Sequence, residues 1–507
     1  MLELQNVTIK MRSDDRVLVE SFSFALADSD KAVIIGEEGN GKSTLLQFIY
    51  DRELIEGYCD CTGTLRKDCK LGYLSQTASD EMLNTAISDL FADKEYYSHV
   101  RILEQMGIPL EMIFSERKLS TFSGGEKVKL RLAYLLMDDP DVLLLDEPTN
   151  DLDIEALEWM EEFIRSSRIP IMFISHDETL IENSANVIIH MEQLRGKTTS
   201  RITVVRCSYS EYLQFRAGSF EHQRQVAQKQ RDDYDKQMER WRQIYSKVEH
   251  DQNSVSRGDP SGGRLLKKKM HSVLSLGRRL EREADEFVEF PETETAILTK
   301  FDPAVTVPAG KTVIDLKLDK VTAGDKLLSQ NVHLFLSGPE HVGITGKNGA
   351  GKSTLLDIIW NELKDRTDVV AAYMPQDYSE VLEYDLSPVE YLARHYSKDE
   401  VTKARTYMGS MRFTRPEMTG KIGELSGGQK AKILFLDMVL RNANVLVLDE
   451  PTRNFSPLSC PVIRDAIRNY KGAVISVSHD RKYLNEVCDR VLELDQTGLH
   501  ETNRFRF

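Results

Sequence analysis

The sequence predicts an α/β protein: two tandem copies of one parallel-sheet domain, joined by a long antiparallel helical hairpin. Three observations predict it. One set of short motifs occurs twice in the same order, with Ser123 and Ser426, Asp146 and Asp449, and His176 and His479 each 303 positions apart. In both copies a continuous apolar run leads into a glycine-rich loop and then a helical pattern. Between the copies lies a stretch rich in helix formers and nearly free of Gly and Pro. The expected division is 1–208 for the first domain, 209–295 for the hairpin and 296–507 for the second domain.

The chain has 507 residues, 41% hydrophobic and 29% charged, enough apolar surface for more than one core and too much for global disorder. No run approaches the roughly 18 to 20 apolar residues that a membrane helix needs. The opening MLELQNVTIK reads as a strand, not a signal peptide, so a cytoplasmic location is expected. Cys59, Cys61, Cys69, Cys207, Cys460 and Cys488 are scattered, as suits reduced thiols, and the first three lack the paired CxxC spacing of a zinc site.

In chain order, the apolar runs at 32–35 and 342–345 read as buried parallel strands, as do 142–145, 445–448, 171–174 and 473–477. GEEGNGKST at 36–44 and GKNGAGKST at 346–354 both satisfy GxxxxGK[ST]. In the first, Gly36, Gly39 and Gly41 let backbone N–H groups converge on phosphate oxygens; in the second, Gly346, Gly349 and Gly351 do so. Lys42 or Lys352 then reaches the β- and γ-phosphates, and Ser43 with Thr44, or Ser353 with Thr354, opens a helix whose positive end faces the anion. Ser43 and Ser353 are the candidate hydroxyl ligands of Mg²⁺.

FSGGE and LSGGQ place Ser123, Gly124 and Gly125, and Ser426, Gly427 and Gly428, at the start of a helix-forming stretch, a second anion-binding arrangement in each copy. DVLLLDEPTNDLD and NVLVLDEPTRNFS end a buried strand on Asp146 or Asp449, which can hold Mg²⁺. The next acid, Glu147 or Glu450, can polarise a water for attack on the γ-phosphate. Ser-His-Asp after the third strand sets His176 and His479 where an imidazole could touch that phosphate, although a lone histidine there serves structure as readily.

The stretch from Tyr209 reads as one long helix, a break at SRGDPSGG (256–263) and a returning helix. From Arg240 to Arg282 there are eleven Lys or Arg against four acids, in a chain whose net charge is −15. Arg257, Arg264, Lys267, Lys268 and Lys269 lie nearest the tip and are the candidate RNA contacts. Trp241, Tyr245 and His271 stand close by as candidate stacking groups. A solvated coiled coil that only spaces the two domains is the plainer alternative.

The full set of motifs resembles the ATP-binding cassette family, in the order Walker A, Q-loop (Gln76, Gln376), signature, Walker B, D-loop and H-switch. The resemblance implies ATP hydrolysis, with Mg²⁺ also approached by Gln76 and Gln376. It implies too that the cassettes pair within a monomer, head to tail. One site would join 36–44 and Glu147 to Ser426; the other would join 346–354 and Glu450 to Ser123. Two departures stand out. Neither residues 1–20 nor the matching stretch around Thr322 has an aromatic residue where the family usually stacks adenine, so GTP remains open. The second D-loop reads RNFSP where the first reads NDLD, so unequal hydrolysis is expected.

Cassettes fused through a charged hairpin, without membrane segments, resemble the ABC-F branch, whose members act on ribosomes. That implies binding of rRNA and tRNA, with the hairpin near the peptidyl-transferase centre. Walker A and signature are 81 residues apart in one copy (Lys42 to Ser123) and 74 in the other (Lys352 to Ser426), and 27 residues follow Asp480. Neither an extra helical arm nor a C-terminal extension is therefore expected. Relief of stalled translation and antibiotic resistance by ribosomal protection both fit this form. An ATPase subunit serving a separate membrane protein is the reading from another class; it gives the basic hairpin no task.

Overall fold

The computed structural model describes residues 2–94, 99–150, 152–194, 199–254, 260–285, 287, 301–324, 326–395 and 397–502, and for 260–263 and 285 the backbone only. The chain divides into two compact units, Met1–Tyr209 with Glu294–Phe507, and Ser210–Thr293. Both sets of motifs lie in the first.

Each cassette is built on a six-stranded sheet. In the first the order is Leu71–Leu74, Val142–Asp146, Ile171–Ile174, Lys31–Ile35, Val187–Leu194, Thr199–Val205, all parallel but the last. In the second, Ala371–Met374, Val445–Asp449, Ala473–Val477, His341–Thr345, Arg490–Leu494 and Leu499–Glu501 repeat that order and the antiparallel edge. Two sheets with one strand order confirm the duplication seen in the motifs. The central strands are buried along their whole length and mostly apolar because helices cover both faces; Ala32, Val33, Ile34, Ile35, Leu143, Leu144 and Leu145 are all inaccessible to solvent.

An antiparallel layer packs on each sheet. Leu2–Met11 lies between Val17–Leu26 and Cys59–Lys67 in the first cassette, and Thr312–Ala323 pairs with Lys326–Ser337 in the second. Alternation shows here as it does not in the central sheets: Leu2, Leu4, Val7 and Ile9 point into the core and the residues between them face outward. Cys59 and Cys61 stand on the third of these strands.

The second unit is an antiparallel hairpin. Its helices, Tyr209–Ser254 and Pro260–Asp285, have 46 and 26 residues, so the longer one extends about 70 Å at about 1.5 Å per residue. Tyr234 meets Phe287 edge to face at 5.6 Å, while Trp241, further along the first helix, packs where Gly277 lies earlier on the second; a Cβ at Gly277 would come within 2.9 Å of the indole. The register thus falls as the first helix rises. The break is shorter than the SRGDPSGG stretch, because the returning helix already begins at Pro260 and contains Gly262 and Gly263. Proline's fixed φ suits a first helical turn, where its missing N–H costs nothing.

Candidate nucleotide sites between the cassettes

Each phosphate loop follows a fully buried strand and runs into a helix, Lys42–Tyr50 or Lys352–Leu363. Gly36 and Gly346 take φ of 151° and 145° and lie so close to the carbonyls of Met191 and Leu494 that a Cβ would come within 2.4 Å. Only glycine fits there. Lys42 Nζ donates to the carbonyls of Gly36 (2.9 Å) and Glu37 (3.1 Å), and Lys352 Nζ to those of Gly346 (2.8 Å) and Lys347 (3.1 Å). The two ammonium groups are therefore held over their own loops in the same way.

In each copy the two candidate Mg²⁺ ligands stand together: Ser43 Oγ donates to Asp146 Oδ1 at 2.9 Å, and Ser353 bonds Asp449. The copies then diverge. Tyr73 donates to Asp146 Oδ2 at 3.1 Å, so both oxygens of Asp146 are occupied. Its counterpart Tyr373 donates to Asp357 at 2.8 Å, and Asp449 Oδ2 is left buried without a hydrogen bond.

Glu147 and Glu450 share a left-handed backbone, φ 48° and 51°, a conformation costly outside glycine and Asn. Its recurrence marks a position whose side-chain direction matters. Glu147 accepts from Gln76 (3.0 Å) and Asn150 (2.7 Å) and lies 3.3 Å from His176 Nε2. Burial alone would raise its pKa, but His176, Asn150 and Lys42 overcome that and hold the carboxyl down at about 2. Glu450 is pushed up to about 8, chiefly by burial and then by the charge of Asp449. His479 lies 3.9 Å from it and is lowered to about 3 by burial and Lys352.

The signature serines cap the helices Gly124–Leu136 and Gly427–Leu440 through full capping boxes, Ser123 with Glu126 and Ser426 with Gln429. The S-x-x-E/Q spacing was open in the sequence.

The cassettes meet head to tail at the first site. Gly428 N–H donates to Glu38 Oε2 at 2.5 Å, so Walker A of the first cassette touches the signature of the second. Ser456 and Ser459 Oγ donate to Glu37 Oε1 at 3.1 and 2.6 Å, and Lys432 Nζ lies 3.5 Å from Glu37 Oε2. Burial would raise the Glu37 pKa, but Lys432, Ser459 and Ser456 lower it to about 2. His176 Nδ1 lies 2.8 Å from the Phe455 carbonyl, which ties the first H-switch to the second D-loop.

At the second site the contacts run through the first D-loop. Asn348 N–H donates to Asp153 Oδ2 at 3.4 Å, and Lys347 pairs with Glu155 at 3.1 Å. A cavity opens there, lined by Asp153, Glu155, Gly346 and Lys347 among others. His479 Nδ1 has no hydrogen-bond partner. Away from both sites, Arg464 joins the cassettes through Glu178 at 2.5 Å, each side chain 4% exposed, and Arg481 reaches Glu161 at 2.8 Å.

The acids at Glu37 and Glu38, their partners and the Arg464 pair escaped the sequence analysis. A signal was present, since copy two has Lys347 and Asn348 at the same loop positions. In the hairpin, Arg264, Lys267, Lys268 and Lys269 are exposed; Arg257 lies outside the described residues. Trp241, expected as a stacking group, is taken up by packing, its indole N–H donating to the Val273 carbonyl at 2.7 Å, whereas His271 is exposed. Among the described residues no helix is long and apolar enough to cross a membrane.

Comparison with known proteins agrees with this geometry. The ABC transporter family model matches residues 19–150 and 329–453, together just over half of the chain. The chain is 29% identical to the ribosome protection protein VmlR of Bacillus subtilis (strain 168), over 99% of this chain and 88% of that protein. It is 29% identical to ABC transporter F family member 5 of Arabidopsis thaliana over 76% of this chain, and it spans 53% of that relative's length and 59% of F family member 2's. A crystal structure of an archaeal ribosome recycling factor, aABCE1, with the stalk protein aP1 superposes with a TM-score of 0.59 at 16% identity, covering 98% of this chain and 89% of that one; the likeness is one of fold. With its paired phosphate loops, signatures and strand order, the chain belongs to the ABC transporter family, as a two-cassette member.

Proposed function

We propose that the protein is an ATP-driven, ribosome-binding translation factor, which hydrolyses ATP between its own two cassettes and presents its hairpin to RNA near the tRNA and the peptidyl-transferase centre. The observation that carries the reading is the exposed cluster of Arg264, Lys267, Lys268 and Lys269 on a hairpin helix, in a chain of net charge −15. An acidic protein that concentrates cations on one exposed helix end has a surface for phosphate backbones. The similarity to VmlR, named a ribosome protection protein, supports the same reading.

In this function Lys42 and Lys352 hold the phosphates, Glu147 and Glu450 orient the attacking water, and His176 and His479 face the γ-phosphate. The oxygen donors of Ser43 with Asp146, and of Ser353 with the half-satisfied Asp449, fit Mg²⁺, a hard cation. Gln76 and Gln376 would complete the donor set. The ion would neutralise phosphate charge. Work as a cytoplasmic monomer belongs to the same proposal, and so does the finer reading, protection of the ribosome from an antibiotic.

The test is co-sedimentation with ribosomes, in ATP, of the full chain carrying Glu147→Gln and Glu450→Gln, which should bind nucleotide and release slowly. Retention that is lost when Arg264, Lys267, Lys268 and Lys269 are changed to Ala supports the proposal. Recovery with membranes and not ribosomes overturns it in favour of a transporter ATPase subunit. Drug susceptibility of cells with and without the protein then decides for or against protection.

A further inference from the structure

The two phosphate loops differ in charge where they face the opposite cassette. The second carries Lys347 and Asn348; the first carries Glu37 and Glu38. The start of a helix presents unpaired N–H groups and positive potential, and in the second signature that anion-binding end faces the first phosphate loop. At the first site this end already has an anion: Glu38 Oε2 accepts from Gly428 N–H at 2.5 Å and lies 3.3 Å from the position of a Cβ on Gly427. Glu37 reinforces the closure by accepting from Ser456 and Ser459 and pairing with Lys432, all of the second cassette.

Polar satisfaction tells the same story. At the first site both oxygens of Asp146 are hydrogen-bonded and His176 bonds Phe455 across the interface. At the second, Asp449 Oδ2 and His479 Nδ1 are buried with no hydrogen bond, and native structures rarely leave such atoms without a purpose. The first site is completed by the protein's own side chains and the second is shaped to be completed by a ligand.

We infer that the first composite site discriminates against nucleoside triphosphates, with the Glu38 carboxylate standing where a γ-phosphate would meet the signature. It accepts a nucleoside diphosphate and stays closed, while the second site binds and turns over the triphosphate. The inference rests on the ATPase reading above and names the residue that makes the sites unequal. Its chemical basis is repulsion: a γ-phosphate brought to Gly428 must displace a carboxylate from a site that holds one anion well.

Equilibrium binding of a non-hydrolysable ATP analogue and of ADP, each with Mg²⁺, to the full chain tests this. The wild type is expected to bind one analogue tightly and a second at least about tenfold more weakly. Glu38→Gln, which keeps the shape, and Glu38→Asn, which copies Asn348, should tighten the weaker event by about tenfold and leave ADP affinity within a few-fold. In a Lys352→Ala chain only the weak event should remain, and adding Glu38→Gln should strengthen it. Two equal analogue sites in the wild type, or Glu38 variants without effect, overturn the inference and leave the ATPase reading standing. A chain that binds no nucleotide overturns both. Glu38 is exposed, so neither substitution disturbs a core.

Discussion

At the first composite site an acidic phosphate loop faces hydroxyls; at the second a basic one faces carboxylates. Glu37 corresponds in the repeat to Lys347, and Ser456 to Asp153. Glu37 accepts from Ser456 and Ser459 and pairs with Lys432, whereas Lys347 pairs with Glu155 while Asp153 accepts from Asn348. An aspartate at 456, matching Asp153, would set a second carboxylate against Glu37. Departures that look independent in the two halves of the sequence therefore compensate one another across the interface. The altered second D-loop is the partner of an altered first Walker A, and site asymmetry is built by both cassettes together.

The largest effect should come from the carboxylates that orient water. Glu450→Gln is expected to lower kcat for ATP by about a hundredfold or more, in the range a positioned base contributes, and Glu147→Gln by less than about fivefold. Equal losses in steady-state hydrolysis would break the comparison. Next is the ion pair that joins the cassettes away from both sites. Arg464 and Glu178 are each 4% exposed, so Arg464→Ala leaves the buried carboxylate with Lys482, 3.3 Å away, and should lower stability by up to about 3 to 5 kcal/mol in urea unfolding. A loss under about 1 kcal/mol would show that the pair does not clamp the cassettes.

A smaller difference should separate the two loop residues themselves. Glu37→Ala leaves Ser456, Ser459 and Lys432 without their acceptor and should cost about 1 to 3 kcal/mol. Lys347→Ala removes a pair whose side chains are 70% and 59% exposed and should cost about 1 kcal/mol at most. The smallest and sharpest signal is pH dependence. Because the Glu37 pKa falls from 4.5 to about 2 on folding, its contribution is present above pH 4.5 and fades as the pH drops toward 2. The stability gap between wild type and Glu37→Gln, followed by unfolding at stepped pH, should shrink in that window and stay flat above it.

Much of this was legible in the residues. The buried parallel strands followed from uninterrupted apolar runs, and GxxxxGK[ST] placed both phosphate loops, because glycine's conformational freedom and a lysine at fixed spacing are local requirements. The hairpin's helices followed from composition, although Pro260 starts the second helix earlier than the glycines suggest. Stacking by Trp241 was misjudged because an exposed-looking aromatic in a polar helix gives no sign that Gly277 makes room for it on the returning helix.

The sequence by itself determined the repeated buried strands, the chemistry of each phosphate loop and the basic charge of the hairpin, since these depend on neighbours a few residues away. Only the tertiary structure decided that Glu38 meets Gly428, that Glu37 finds Ser456 and Ser459, and that Asp449 lacks the tyrosine bond Asp146 has. Those contacts join positions some 400 residues apart or turn on which of two acceptors a tyrosine reaches. Such choices are made by packing and charge compensation between surfaces, which no local pattern encodes.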